Sequence, residues 1–262
     1  MQLKDYQEIA IKELLSKSKK LLGYSGTKKL VFKAPTGSGK TIMMAEFLKR
    51  LVDDREVKAP LSFIWTAPRK LHEQSRSKLE AYFEDTRALK CSFFEDLDDI
   101  KISENEVLFF NWESINKENA IYIRENETNN NLSNVLLRTK EEDRKIVLII
   151  DESQYYSGAM DKKEEQAASK LKNDINADLT IEVSATPILK GDDDVNVQLE
   201  DVKEEGMIKK AVLLNPDFDN IFRNGKIESK LSEGTEELVI DTALKKRKEL
   251  SASIKRKTIS IR

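Results

Sequence analysis

Short apolar runs alternate along the chain with longer stretches in which apolar residues recur about every 3.6 positions. The short runs predict β-strands at residues 30–33, 61–66, 107–110, 146–150, 180–183 and 211–214. The longer stretches predict helices at residues 41–51, 69–83 and 162–172. Several strands are apolar at nearly every position, which is typical of a sheet covered on both faces. We therefore predict an α/β fold, with a mostly parallel sheet between two layers of helices.

Two polar stretches predict loops within the domain, and a charged stretch near the C-terminus predicts an extension after it. Residues 125–134, which include an Asn-Asn-Asn run, and residues 190–194 have the composition of exposed loops. From about residue 229 to residue 256 the chain is highly charged, and its apolar residues are spaced like one face of a long helix. We therefore expect one domain at residues 1–215 and a charged helical extension at residues 216–262.

Composition narrows the class of protein. The 262 residues are 39% hydrophobic and 35% charged, so the chain is long and apolar enough to form one complete hydrophobic core. No stretch reaches the roughly 20 apolar residues of a membrane span, and the N-terminus lacks the apolar core of a signal peptide. The single cysteine, Cys91, excludes an internal disulfide. We expect a cytoplasmic protein without a membrane partner; with a net charge of −2, any nucleic-acid contact must come from local groups.

A glycine-rich segment, Ala-Pro-Thr-Gly-Ser-Gly-Lys-Thr at residues 34–41, lies between the first predicted strand and the first predicted helix. Its glycines let successive backbone N–H groups point at phosphate oxygens, and the helix start adds its positive dipole end. This context predicts a P-loop that binds a nucleoside triphosphate, rather than a turn without a ligand. The predicted contacts are Thr36, Gly37, Ser38, Gly39, Lys40 and Thr41, with Lys40 on the β- and γ-phosphates and the Thr41 hydroxyl on Mg²⁺.

Two polar motifs follow later strands. Asp151 and Glu152 end the apolar strand 146–150, where one acid can hold the Mg²⁺ of Mg–ATP and the next can deprotonate the attacking water. The alternative is a helix start that uses acids to complement its dipole. Ser184 and Thr186 follow strand 180–183, where small hydroxyl residues could hydrogen-bond the acidic motif and sense its state. The same pattern is also common in turns.

Five ordered segments carry a family resemblance: Tyr6-Gln7, the P-loop, residues 65–69, residues 151–154 and residues 184–187. Their order resembles the first RecA-like domain of superfamily 2 helicases and translocases. Within that superfamily the chain most resembles the ATPase part of the type III restriction enzyme Res subunit. The branch is indicated by residues 3–7, by Phe-Asn-Trp-Glu-Ser at residues 110–114, and by residues 205–210.

The resemblance implies a nucleotide site that agrees with the chemistry of the motifs. Lys40 would hold phosphate, Thr41 and Asp151 would hold Mg²⁺, and Glu152 would activate the water. Gln7 would read the adenine edge, unless it is an ordinary polar residue of an N-terminal helix.

The resemblance also implies coupling and nucleic-acid contacts. Ser184 and Thr186 would couple the nucleotide state to strand movement, and Pro68, Arg69 and Lys70 would contact a nucleic-acid backbone. The alternative for residues 68–70 is an ordinary helix start. Gln154 stands where many relatives carry His or Asp; it can hydrogen-bond toward the γ-phosphate, but it cannot change charge.

A motor of this type holds ATP between two RecA-like domains, and the second domain supplies arginine fingers. After residue 187 the sequence shows neither a second set of strands nor a nuclease domain. We therefore expect the weakly active, truncated N-terminal motor domain of a DNA-dependent ATPase or translocase. The parent would act on duplex DNA with a methyltransferase subunit, a second RecA-like domain and a nuclease domain. The alternatives are a nucleotide-dependent nucleic-acid-binding module without its own hydrolysis, and a fragment of an RNA helicase of the DEAD/DEAH type.

Overall fold

In the part of the chain that the structure describes, seven parallel strands form one sheet. The structure is a computed structural model that describes residues 2–68, 70–111, 131–153, 172–185 and 190–208, the backbone of residues 222–223 and 226–227, and Leu244. The strands are β1 Lys28–Lys33, β2 Leu61–Ala67, β3 Lys90–Ser92, β4 Glu106–Asn111, β5 Lys145–Ile150, β6 Leu179–Ser184 and β7 Asp193–Asn196. Their order across the sheet is β3-β4-β2-β5-β6-β1-β7, and each neighbouring pair is parallel.

Of the helices that the structure describes, one precedes β1, one follows β7, and the others lie between strands along the chain. They are α1 Asp5–Leu22, α2 Lys40–Asp53, α3 Leu71–Phe83, α4 Leu132–Glu141 and α5 Leu199–Glu204, with single 3₁₀ turns at Phe94–Asp96 and Asp98–Ile100 and a helical segment at residues 172–175. Among the described helices, none combines the length and the apolar character that crossing a lipid bilayer requires. The chain divides into two compact units, Met1–Ile208 and Lys209–Arg262. In the second unit, β8 Phe222–Arg223 pairs antiparallel with β9 Lys226–Ile227.

Both faces of the sheet are covered by helices. Because successive strand residues point to opposite sides, neighbouring residues of one strand belong to different cores. On one face, residues such as Phe63 and Trp65 of β2 pack in a core with side chains of α1, α2 and α3. On the other face, Ile64 of β2 packs in a second core with side chains of α4. The predicted α/β class, with helices on both faces of a parallel sheet, is confirmed.

Five of the six predicted strands are present with slightly different ends, and the sixth, at residues 211–214, lies outside the described residues. The helix predicted at 41–51 corresponds to α2, and the helix predicted at 69–83 begins at Leu71. Residues 162–171 and nearly all of the charged segment 229–256 lie outside the described part of the chain.

Both loop predictions are wrong at one end. The predicted loop 190–194 overlaps β7, where Asp193 and Asp194 form ion pairs with Lys17 and Lys33 at 3.2 and 3.5 Å. These lysines satisfy the acidic side chains of an edge strand, so a polar sequence can lie there. The predicted loop 125–134 overlaps the start of α4, where the Asn131 side chain accepts a hydrogen bond from the helix backbone.

Candidate functional site

The glycine-rich segment lies directly between β1 and α2, at the carboxyl edge of the sheet. Gly37 and Gly39 have φ angles of 84° and 87°, which side-chain-bearing residues rarely adopt. The Gly39 carbonyl accepts the first hydrogen bonds of α2, from the N–H groups of Ile42 and Met43. Thr36 and Gly37 are exposed at the tip of the loop. The backbone conformation is therefore suited to a P-loop, with an accessible tip followed by the N-terminus of a helix.

Two side chains of α1 hold the P-loop through hydrogen bonds to its backbone. The Tyr6 hydroxyl donates to the Ser38 carbonyl at 2.7 Å, and burial raises the pKa of Tyr6, so the hydroxyl stays protonated. The Gln7 Nε2 donates to the same carbonyl at 3.0 Å, while its Oε1 accepts from the Lys4 N–H at 3.0 Å. Gln7 thus fixes the loop to the start of α1, and its adenine contact stays a prediction. Sequence reasoning gave no role to Tyr6, although an aromatic residue with a polar tip beside Gln7 was a usable signal.

The P-loop lysine lies beside the acidic motif. Lys40 is 9% exposed, and its Nζ lies 3.7 Å from Glu152 Oε1. The same Nζ donates to the Ala34 carbonyl at 3.4 Å. Glu152 has a φ of 51°, so its backbone lies in the left-handed region, which is unusual for a residue with a long side chain. The fold therefore brings a buried cation and a carboxylate together where the P-loop meets the start of α2.

Asp151 is held in place by three contacts. Its N–H donates to the Thr66 carbonyl at 2.9 Å, and its Oδ1 accepts from the Glu152 N–H at 2.9 Å. Its Oδ2 accepts from the Ser75 hydroxyl at 3.3 Å. Burial, followed by the charge of Glu152, raises the pKa of Asp151 to about 6, against the opposing effects of these hydrogen bonds and Lys40. The negative charge is thus unfavourable here without a cation beside it.

The residues present fit a hard divalent cation. The Asp151 carboxylate and the partly exposed Thr41 hydroxyl supply oxygen ligands. The described residues hold no group of three or more His, Cys, Asp or Glu side chains that could bind a metal by themselves. Mg²⁺ does not need such a group, because it is commonly held by one or two carboxylates together with substrate phosphates and water.

The end of β6 joins the P-loop to the acidic turn. The Val183 carbonyl accepts from both the N–H and the hydroxyl of Ser153, at 2.8 and 3.0 Å. The next carbonyl, that of Ser184, accepts from the Ala34 N–H at 3.0 Å. Ser153 was not predicted as a site residue. Ser184 lies at this junction through its carbonyl, and its coupling role stays a prediction; Gln154 and Thr186 lie outside the described residues.

The predicted nucleic-acid segment follows β2 at the same edge of the sheet. Pro68 is buried, Lys70 is exposed immediately before α3, and Arg69 lies outside the described residues. Lys70 is therefore available to a phosphate backbone, and this contact stays a prediction.

A cavity of about 310 Å³ lies at the start of α1. Its lining residues are Gln2, Leu3, Lys4, Asp5 and Glu205. Lys4 Nζ and Glu205 Oε2 form an ion pair at 3.3 Å across it. Ile208 then packs beside the loop, so closely that a Cβ at Gly37 would lie 2.9 Å from its Cγ2. The cavity is connected to the P-loop through two hydrogen bonds, since the N–H of its lining residue Lys4 donates to Gln7 and Gln7 donates to the Ser38 carbonyl.

Comparison with protein families decides the relationship of this chain. Residues 1–189 match the family described as type III restriction enzyme, res subunit. The chain belongs to the type III restriction enzyme Res subunit family. The resemblance inferred from the ordered motifs is therefore confirmed, and the Res-family match spans all five ordered segments but not residues 205–210. The chain carries the helicase-like ATPase domain of that family.

Solved structures show more distant likenesses to this Res-family domain. A nuclease-deletion mutant of the Type ISP restriction-modification enzyme LlaGI, in complex with a DNA substrate mimic, is 16% identical with a TM-score of 0.48; the match covers 84% of this chain and 22% of that chain. A variant of S. cerevisiae Dbp5 bound to RNA and ADP BeF3 is 15% identical with a TM-score of 0.43; the match covers 76% of this chain and 51% of that chain. A comparison with curated protein sequences found no significant match.

Proposed function

We propose that this Res-family domain binds Mg–ATP and is the motor domain of a DNA-dependent ATPase or translocase. The observation that carries the proposal is the meeting of Lys40, Asp151 and Glu152 at one edge of a parallel sheet, with Lys40 Nζ 3.7 Å from Glu152 Oε1. In parallel α/β sheets, ligands bind beyond the carboxyl ends of the strands, which is where these three residues lie. The Res family name supports DNA, rather than RNA, as the nucleic acid.

Each residue has a defined task in this proposal. The N–H groups of residues 36–41 and the Lys40 charge hold the phosphates, and Asp151 and Thr41 hold Mg²⁺. Glu152 orients the attacking water and accepts its proton. Bound Mg²⁺ would neutralise the negative charges of the phosphates and of the Asp151 carboxylate. Lys40, whose Nζ lies 3.7 Å from Glu152 Oε1, would turn to a bound phosphate and leave that carboxylate to the water.

We further propose that hydrolysis by this domain alone is slow. Among the described residues, no arginine contacts Lys40 or Asp151, and related P-loop enzymes use an arginine to stabilise the transition state. A second RecA-like domain would supply it. In this proposal residues 1–215 form the motor domain, and residues 216–262 lead to that second domain. A methyltransferase subunit and a nuclease domain would complete the enzyme.

The first test is nucleotide binding by Lys40→Ala. We expect this variant to lose measurable affinity for a fluorescent ATP analogue while keeping the wild-type melting temperature. Lys49→Ala is the matched control, because Lys49 lies on the same helix but is partly exposed and pairs with Glu46, at 3.7 Å, rather than with Glu152. We also propose that the nucleoside lies in the cavity at the start of α1, so ATP should bind more tightly than tripolyphosphate. Equal ATP affinity in Lys40→Ala and wild type would refute the site assignment.

The second test is steady-state ATP hydrolysis with and without duplex DNA, with Glu152→Gln as the blank. Turnover close to the blank, despite ATP binding, supports a domain that needs a second domain for hydrolysis. DNA-stimulated turnover that vanishes in Glu152→Gln would show that the chain completes its own site. Nucleotide-dependent DNA binding without any turnover, even with a second RecA-like domain supplied, would support a binding module instead. Stimulation by RNA but not DNA would support the RNA helicase alternative.

A further inference from the structure

Helix α3 carries a serine on the face that packs against the sheet. Ser75, Leu79 and Phe83 are spaced by four residues, so they form one stripe, and all three are buried. Leu79 and Phe83 belong to the hydrophobic core, whereas Ser75 brings a hydroxyl into it. Burying a hydroxyl is unfavourable unless it has a partner. The partner of Ser75 is therefore the feature that explains a polar residue at this position.

That partner is the carboxylate proposed to hold Mg²⁺. The Ser75 hydroxyl donates to Asp151 Oδ2 at 3.3 Å, while the Glu152 N–H donates to Asp151 Oδ1 at 2.9 Å. Both carboxylate oxygens are thus held from the protein side, and each keeps a lone pair for a further ligand. Hydrogen bonds of this kind fix the direction of a metal-binding carboxylate, and their loss typically weakens metal binding 10- to 100-fold.

The same helix begins at the predicted nucleic-acid segment. Residues 68–70 run directly into Leu71, and Ser75 lies about one helical turn later, about 6 Å along the axis. A helix moves as a rigid element over such a distance. Residues 68–70 are also joined to Asp151 through the end of β2, because the Asp151 N–H donates to the Thr66 carbonyl at 2.9 Å. Two short connections thus link this segment to one carboxylate.

We propose that Ser75 is a positioning residue for Asp151 and that it transmits the state of residues 68–70 to the metal site. The proposal rests on the proposed function, since it requires that Asp151 holds Mg²⁺ and that residues 68–70 contact DNA. A shift of α3 when DNA binds would move the Ser75 hydroxyl relative to Asp151 Oδ2 and so change the geometry offered to Mg²⁺.

The experiment compares Ser75→Ala with Ser77→Ala. Ser77 lies on the exposed side of α3, where its hydroxyl donates to the Glu73 carbonyl within the helix. Affinity for a fluorescent, non-hydrolysable ATP analogue is measured with Mg²⁺ and with EDTA, and the ratio of the two affinities reports the contribution of the metal. We expect Ser75→Ala to lower this ratio about 10-fold, with unchanged affinity in EDTA, and Ser77→Ala to keep the wild-type ratio.

Each outcome decides a separate claim. A wild-type ratio of one would refute the metal site itself, and so the proposed function. A wild-type ratio well above one that is equal in Ser75→Ala would overturn the role of Ser75 alone. If Ser75→Ala does not fold, Ser75→Thr replaces it, because threonine keeps the hydroxyl. We expect Ser75→Thr to retain the wild-type ratio. A ratio lowered about 10-fold in Ser75→Thr, at a wild-type melting temperature, would overturn the inference.

The transmission step has its own readout. A short DNA duplex added to the wild type and to Ser77→Ala is expected to change the Mg²⁺ ratio, and the same duplex should leave Ser75→Ala unchanged. DNA binding is measured in parallel by anisotropy, and all three proteins should bind the duplex equally. An equal effect of DNA on the ratio in all three, or no effect in any, would refute transmission through Ser75.

Discussion

Replacing Asp151 with asparagine tests the electrostatics of the proposed metal site. Asp151 is 8% exposed, and its pKa is raised from 3.8 to about 6, first by burial and then by Glu152. The folded protein therefore binds this proton more tightly than the unfolded chain does. As pH rises from about 4 to about 6, the unfolded carboxyl ionises first, so the contribution of this group to stability falls. Above about pH 6 the group is ionised in both states and the loss is constant.

The size of the effect follows from the two pKa values. Their difference of about 2 corresponds to about 3 kcal/mol of destabilisation by the ionised carboxylate at pH 7. Asparagine has no charge to bury, and its amide oxygen can still accept from the Glu152 N–H. We expect Asp151→Asn to stabilise the metal-free protein at pH 7.5 by about 1–3 kcal/mol, which raises the melting temperature by about 3–9 °C.

The assay is thermal unfolding in EDTA at pH 7.5 and at pH 4.5, followed by the same measurement with Mg²⁺ and ATP. The gap between Asp151→Asn and wild type should shrink at the lower pH, and Mg–ATP should stabilise the wild type much more than the variant. Asp85→Asn, which changes an exposed residue, controls for the loss of one negative charge. A variant that is no more stable than wild type in EDTA at pH 7.5, or one whose advantage is the same at both pH values, would refute the reasoning.

Two substitutions test the support of the P-loop. Tyr6→Phe removes a buried hydrogen bond to the Ser38 carbonyl; we expect a loss of about 1–2 kcal/mol in urea unfolding and weaker ATP binding, and unchanged values in both would contradict this role. Gly39→Ala would place a Cβ 2.6 Å from Gln7 Nε2 at a φ of 87°. Gly26→Ala has a similar φ of 77° with nothing within 4 Å, so it is expected to lose only about 1–2 kcal/mol, from its backbone. Gly39→Ala should lose more than Gly26→Ala and should bind ATP poorly; equal unfolding free energies would show that the contact with Gln7 is unimportant.

The sequence patterns predicted the strands whose own residues are mostly apolar. β5, Lys145–Ile150, is apolar on both faces because both faces are covered, and its pattern is visible without tertiary information. β3 has only three residues, and β7 is acidic. The acidic side chains of β7 are accommodated by lysines from α1 and β1, and no local pattern could reveal those partners. Edge strands are therefore the part of this sheet that the sequence predicts least well.

The candidate site was predictable where the motif itself carries the chemistry. Lys40 follows β1 and Glu152 follows β5, and both strands end at the same edge of the parallel sheet, so it could be expected that the two side chains lie at that edge. Ser75 and Ser153 could not be found in this way, because a serine has many ordinary uses and their partners are distant in sequence. Ser75 had one usable signal, a polar residue in an otherwise apolar helical stripe.

The junction at the end of β6 is made mostly with main-chain groups, beside one side-chain hydroxyl, that of Ser153. The carbonyls of Val183 and Ser184 accept the N–H groups of Ser153 and Ala34, so the acidic turn and the P-loop are attached to adjacent peptide units of one strand. Any residue type except proline supplies the same N–H group, and every residue supplies the same carbonyl. A scan by alanine substitution would therefore report only the hydroxyl of Ser153, which also donates to the Val183 carbonyl, and would leave these main-chain hydrogen bonds in place. Replacing single amide bonds by esters, or inserting one residue into β6, is the kind of change that reaches it.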